Sequence, residues 1–339
     1  MKLDTQLGHR GLEGVVEEAT SFERMGFDAA WTFEAGHDPF LPVALAADAT
    51  KTINLGTNIA VAFARSPMSM AQVAWDVQKH SKGRFHLGLG TQVRAHIERR
   101  YSMPYDHPVA RLKDFVNTLR AIWNTFQTGA KPAHEGPFYR FVLMNPMFNP
   151  GPIDHPNIPV WLAGVNELMC KAAGEVADGF HVHPMHSVAY LKEFAIPKIE
   201  EGARTRGKHA TDVELYAPVF TVSGDTQADQ DKSLAEVRRQ ISFYGSTPAY
   251  RPVLDHHGAG GIAKELSAHA RVGEWDQMAK LISDDLLEKI AIVAKPSDVP
   301  KAIKERYQGL LQRVSLYFPI RAGEAEDTWK KFVAAFRAA

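Results

Sequence analysis

What most restricts this chain is an alternation repeated along its 339 residues: a short apolar or alternating run, then a stretch with helical period. Lys2 to Leu7 reads as a strand, and Leu12, Val15, Val16, Ala19 and Phe22 then recur at the i, i+3, i+4, i+7 spacing of a helix buried along one stripe. Asp28 to Phe33 with Leu41 to Thr50 repeats the unit, as does Thr52 to Val61 with Met68 to His80. Gly83 to Gly90 is a fourth strand, and Pro108 to Gln127 its helix, striped by Leu112, Phe115, Val116, Leu119, Ile122, Trp123 and Phe126. From Lys131 to Pro156 the period disappears and prolines cluster, which predicts a surface insertion. Three more units follow: Pro159 to Ala163 with Asn166 to Ala177, Gly179 to Val182 with Ser187 to Arg206, and Val213 to Val219 with Thr226 to Tyr244, the last helix capped by Asp225. A helical insertion then runs from about Pro248 to Lys289. Arg313 to Pro319 is the eighth strand, and Trp329, Phe332, Val333 and Phe336 stripe a final helix.

Eight strands alternating with helices through right-handed crossovers close most simply into a TIM (β/α)8 barrel, here with insertions after the fourth and seventh helices and a single domain over residues 1–339. The rival, an open doubly wound sheet, would carry G-x-G-x-x-G after its first strand, and Leu7-Gly8-His9-Arg10-Gly11 imitates that poorly. Thirty-nine Lys and Arg balance 39 Asp and Glu, so no dominant field gathers nucleic acid. No apolar run is long enough for a membrane span. The lone Cys170 cannot form an internal disulfide and reads as a packed small hydrophobe, and the first residues lack the apolar run of a signal peptide, so a cytoplasmic location is expected.

In such a barrel the strand C-termini carry the chemistry. Those ends hold Glu34 and His37, Asn58 to Phe63, Gly90-Thr91-Gln92, Gly164-Val165-Asn166, and His181 to His186. Glycines at Gly88, Gly90 and Gly164 either let backbone N–H groups approach an anion or relieve crowding; two such junctions favour a phosphorylated cofactor. Glu34, beside Trp31 and Phe33, is read as a general acid or base, the alternative being a solvated carboxylate. His181 and His183 share a strand face, a spacing a zinc hydrolase would use, yet nothing points out the remaining ligands. The preferred reading therefore has no metal: His183 and His186 line a pocket and His181 packs. Arg84 is read as an anchor below the barrel, pairing with a group such as Asp76. Arg94, His96, Arg99 and Arg100 form a basic cluster for an anionic tail or a solvated face.

Phe27-Asp28-Ala29-Ala30-Trp31, Ile53-Asn54-Leu55-Gly56-Thr57, Ser81 to Gly90, Pro159 to Gly164, Ala177-Asp178-Gly179-Phe180 and Ile290 to Val299, in that order, resemble the bacterial luciferase-like monooxygenase superfamily, with Ala294 where a glycine is usual. Glu135 to Tyr139 fits its hairpin after the fourth helix. Within it the chain is most similar to the branch that uses coenzyme F420 for hydride transfer, FMN-dependent monooxygenases being the alternative. The resemblance implies a homodimeric oxidoreductase acting on a small organic substrate. It puts Asn58 and Ile59 in a bulge behind the deazaflavin, often joined by a cis peptide. Gly164, Val165 and Asn166 would lie at the phosphate, and Gly90, Thr91 and Gln92 near the polar chain. Trp31, Phe33, Phe63, His183 and His186 would shape the substrate pocket. Glu34 stands where the F420-dependent sugar-phosphate dehydrogenases carry an aspartate, but Ala35 replaces their following histidine. The two pocket histidines fall where those enzymes contact substrate phosphate, without their lysine. A barrel that binds without catalysing is the remaining reading.

Overall fold

The expected strands all form, and each pairs in parallel with the next. The computed structural model describes residues 1–8, 11–318 and 326–339; His9, Arg10 and the expected strand end at Pro319 lie outside them. The barrel strands are β1 (Lys2–Gln6), β2 (Ala29–Thr32), β3 (Asn54–Thr57), β4 (Phe85–Gly90), β5 (Val160–Gly164), β6 (Gly179–Val182), β7 (Glu214–Val219) and β8 (Arg313–Leu316). They pair in chain order, and β8 returns to β1 with Arg313 opposite Lys2, which closes the barrel. Around it lie α1 (Val15–Met25), α2 (Phe40–Ala49), α3 (Pro67–His80), α4 (Pro108–Thr128), α5 (Glu167–Val176), α6 (Ile196–Arg204), α7 (Gln227–Gly245) and α8 (Glu326–Ala338).

Burial explains the helices. The whole expected stripe of α4 is buried, whereas α1 starts later than its stripe suggests and leaves Leu12 and Val16 half exposed. Asp225 does not cap α7; Thr226 does, its hydroxyl accepting from Asp229 N while Asp229 returns a bond to the Thr226 backbone. Arg84 is an anchor as expected, but its guanidinium donates to the Ala47, Thr50 and Ile53 carbonyls and the Thr50 hydroxyl rather than pairing with Asp76. After α4 the hairpin of His134–Glu135 and Arg140–Phe141 is tied down by buried Asp114, which accepts from Phe138 N and Tyr139 N and meets His134 Nε2 at 2.9 Å. After α7, helices between 251 and 290 cover their own apolar cluster. Among the described residues no helix is long and apolar enough to cross a membrane.

The barrel interior is filled by polar-edged rings. Trp31, expected on the pocket wall, is instead fully buried there, its ring 4.9 Å from His181, 5.5 Å from Trp161 and 5.5 Å from Tyr216. Asp4 accepts from Trp31 Nε1 at 2.8 Å and from Arg313 Nε at 2.7 Å, so the pair's charges are hydrogen-bonded rather than stranded. His86 Nδ1 accepts from Trp161 Nε1. Gly88 is compulsory here, since a Cβ would sit 1.8 Å from the Thr57 carbonyl oxygen. Burial first, then the charge of Arg313, pushes His86 down to about 3; burial, then His86, does the same to His181.

Two outcomes follow. Arg313→Met leaves Asp4 buried without its counter-charge and should cost about 3–5 kcal/mol in urea unfolding; a parental midpoint would contradict the role given to the pair. Because the buried histidines bind protons more weakly folded than unfolded, stability should fall as pH drops below about 6.5 toward 3. His181→Phe should flatten that slope by roughly one proton, about 1.4 kcal/mol per pH unit, read from unfolding free energies between about pH 4.5 and 6.

Candidate active site

With the interior filled, accessible chemistry sits above the strand C-termini. Glu34 follows β2, and its side chain is only 7% exposed, so it is not a solvated carboxylate. One oxygen accepts from Val61 N and from Arg65 Nη1, both at 2.7 Å; the other accepts from the Tyr101 hydroxyl at 3.2 Å. Arg65 Nη2 also donates to Asp38 at 2.8 Å. Burial alone would lower the Arg65 guanidinium; the hydrogen bonds and charges of Glu34 and Asp38 outweigh it and raise it. Burial, then the charge of Glu34, raises the Tyr101 phenol, which keeps it a donor. Arg100 lies over the Tyr101 ring and donates to the Ala35 carbonyl, so part of the basic cluster ties down the β2 loop. His37 stands in the exposed part of that loop.

What reads as one strand from Thr52 to Val61 is interrupted: β3 ends at Thr57, the Asn58–Ile59 peptide is cis, and Ala60–Val61 pairs separately with β4. Asn58 N donates to the Thr32 carbonyl, and the Ile59 carbonyl accepts from Glu34 N, which ties the bulge to the β2 loop. Phe63 is buried with its ring 6.1 Å from Tyr105, while Phe33 is 39% exposed.

The glycines at the mouth prove to be packing glycines. A Cβ on Gly90 would meet the Ile59 side chain at 2.8 Å, and one on Gly164 would meet Met169 at 2.1 Å. Beyond Gly90, the Thr91 hydroxyl donates to the Gln92 carbonyl, and Gln92 takes a left-handed φ of 56°. The donors for an anion lie one residue past Gly164. Asn166 caps α5 by accepting from Met169 N, and the Val165 carbonyl accepts from Tyr190 at 2.9 Å. Among the described residues the N–H groups of Val165 and Asn166 donate to no protein acceptor. They sit partly exposed at the positive end of a ten-residue helix. That donor set suits a phosphate. Cys170 is buried behind it, its thiol pushed up to about 12 by burial.

On the far side, His183 follows β6 one layer above His181. Its Nδ1 accepts from Met185 N, which puts the proton of the neutral ring on Nε2. The ring stacks on Tyr250 at 4.0 Å and 21° and meets Tyr244 edge-on at 4.4 Å. His186 Nδ1 donates to the His183 carbonyl, and its ring packs near Tyr307, 1% exposed. Burial pushes His183 to about 3, with His186 adding to it, and His186 to about 4. Both rings are neutral, which does not suit the phosphate contacts the resemblance implied. Among the described residues no three His, Cys, Asp or Glu side chains gather to hold a metal.

A family model described as luciferase-like monooxygenase matches residues 2–313. An uncharacterized protein of Mycobacterium tuberculosis is 46% identical over 314 residues, spanning 93% of this chain and 92% of its own. The 5,10-methylenetetrahydromethanopterin reductase of Archaeoglobus fulgidus is 25% identical over 309 residues, 88% of this chain and 87% of its own. Among solved structures, the coenzyme F420-dependent tetrahydromethanopterin reductase of Methanopyrus kandleri superposes with a TM-score of 0.77 at 20% identity, covering 98% of this chain and 97% of its own.

Arg65→Met strands Glu34 in a largely buried site and should lower the unfolding free energy by about 1–3 kcal/mol. Tyr101→Phe, which removes one weaker bond, should cost about 1 kcal/mol or less. Equal losses in urea titrations of the two variants would contradict this ranking.

Proposed function

The chain belongs to the luciferase-like monooxygenase family, and on that footing we propose that it is a coenzyme F420-dependent oxidoreductase that passes a hydride between the deazaflavin C5 and a small organic substrate. The observation that carries the reading is the pair of uncommitted N–H groups at Val165 and Asn166, across the barrel mouth from the clamped Glu34. The names of relatives in the reductase branch support it. When bound, the coenzyme supplies hydride chemistry at C5.

The chain's own residues do the rest. Val165, Asn166 and the α5 dipole would hold the phosphate, with Gly164 giving Met169 the room that shapes the turn. Tyr190 fixes the Val165 carbonyl and so aims the neighbouring N–H groups. Asn58 and Ile59 would back the ring, and Gly90, Thr91 and Gln92 would lie toward its polar chain. Glu34 takes the substrate's proton, or returns it, at the oxygen it shares with Tyr101, while Arg65 and Val61 N hold the other oxygen in place. Phe33, Phe63 and His183 shape the substrate space; His186 contributes by orienting His183, and Trp31 supports the floor from below. The exposed Leu143, Met147 and Phe148 offer an apolar surface for the partner copy of a homodimer.

Purified protein titrated with F420 and with FMN tests the cofactor. Micromolar F420 binding with none for FMN is expected; the reverse would favour an FMN-dependent monooxygenase. Glu34→Gln should lower turnover by about 100-fold or more with F420 affinity unchanged, and full turnover would remove its role.

A further inference from the structure

We propose that the stacked rings of His183 and Tyr250, with Tyr244 closing one side, are the seat of an uncharged, flat substrate that carries a carbonyl or hydroxyl oxygen. The inference names a substrate class for the site above, and its link to hydride transfer rests on that reading; the seat itself rests on the geometry of three rings.

The rings come from three places. His183 leaves the end of β6, Tyr244 lies in the last turn of α7, and Tyr250 ends the turn that opens the helical insertion. His183 and Tyr250 are stacked at 4.0 Å, and Tyr244 stands edge-on to both, at 4.4 Å and 5.5 Å. The Tyr244 hydroxyl is spent on the Tyr317 hydroxyl, 2.7 Å away. Two donors remain. His183 Nε2–H and the Tyr250 hydroxyl have no hydrogen-bond partner among the described residues, and neither is among the fully buried unpaired atoms, so both reach solvent.

Both donors are also neutral. Burial holds His183 near 3 and, with the Tyr244 hydroxyl beside it, pushes Tyr250 up to about 12. A phosphate or carboxylate brought against these rings would be desolvated with no counter-charge. A neutral oxygen could instead accept from either donor without that cost. Beside them, aromatic faces and edges favour a planar body over a saturated, many-hydroxyl one. These are the features of a ring-bearing ketone or secondary alcohol, in which the carbon next to the oxygen is the one that takes or gives a hydride.

The probes are 2-acetylnaphthalene and its anionic counterpart 2-naphthyl phosphate, with dissociation constants from equilibrium dialysis on the protein alone and saturated with whichever of F420 or FMN it binds. The neutral ketone should bind at least about tenfold more tightly than the phosphate. Tyr250→Phe should weaken the ketone about fivefold through the lost hydroxyl without moving the thermal midpoint. Tyr250→Ala, which also removes the stack, should weaken it about tenfold or more. The phosphate binding as tightly as the ketone would overturn the proposal. So would no ketone binding to either form, or a ketone affinity unchanged in both variants. Failure of the coenzyme reading is seen separately: ketone discrimination that depends on Tyr250 in a protein that binds no F420 sinks that reading and supports the seat.

Discussion

A charged pair buried inside a barrel governs where this protein can do chemistry. Asp4 and Arg313 are both removed from solvent, and the pair holds because Asp4 also takes the Trp31 indole N–H. Their bonds lock β1, β2 and β8, and the rings of Trp161, His181 and Tyr216 pack against Trp31 above them. The interior is therefore a plug rather than a pore. A ligand is confined to the rim, where the strands end and their loops begin.

At that rim the charges are divided. The β2 to β4 side carries the ionic clamp of Glu34, Arg65 and Asp38. The β5 side offers backbone N–H groups and a helix dipole, and Glu167 in the first turn has its carboxylate held by Lys171 and Lys198. The β6 to β8 side is a wall of neutral rings, because burial keeps its histidines uncharged. An anionic cofactor tail, a proton-handling group and an uncharged substrate body would each meet matching surroundings there.

The sequence made the barrel legible because each helix buries one stripe, and α4 is buried along the whole of it. Periodicity could not see the break at Asn58–Ile59, since an interrupted strand keeps its alternation. Trp31 and Phe33 share a strand face, yet two residues separate one barrel layer from the next, so Trp31 lies in the plug and Phe33 near the rim. Glu34 was visible as a lone carboxylate at a strand end. Its partners Arg65 and Tyr101, 31 and 67 residues on, belong to no motif and meet it only in the closed fold. Tyr190, Tyr244 and Tyr250 were missed for the same reason. The glycines at Gly90 and Gly164, read as openings for an anion or as relief of crowding, make room for Ile59 and Met169.

On the proposed function, a phosphorylated tricyclic carrier would lie at the rim between the Val165 turn and the Asn58–Ile59 bulge. A crystal structure of the protein soaked with coenzyme F420 tests it most directly. The account predicts a phosphate within hydrogen-bond distance of Val165 N and Asn166 N, the ring lying against Ile59, and C5 facing the space beside Glu34. Density for the coenzyme anywhere else, or a ring turned so that C5 faces away from Glu34, would contradict it.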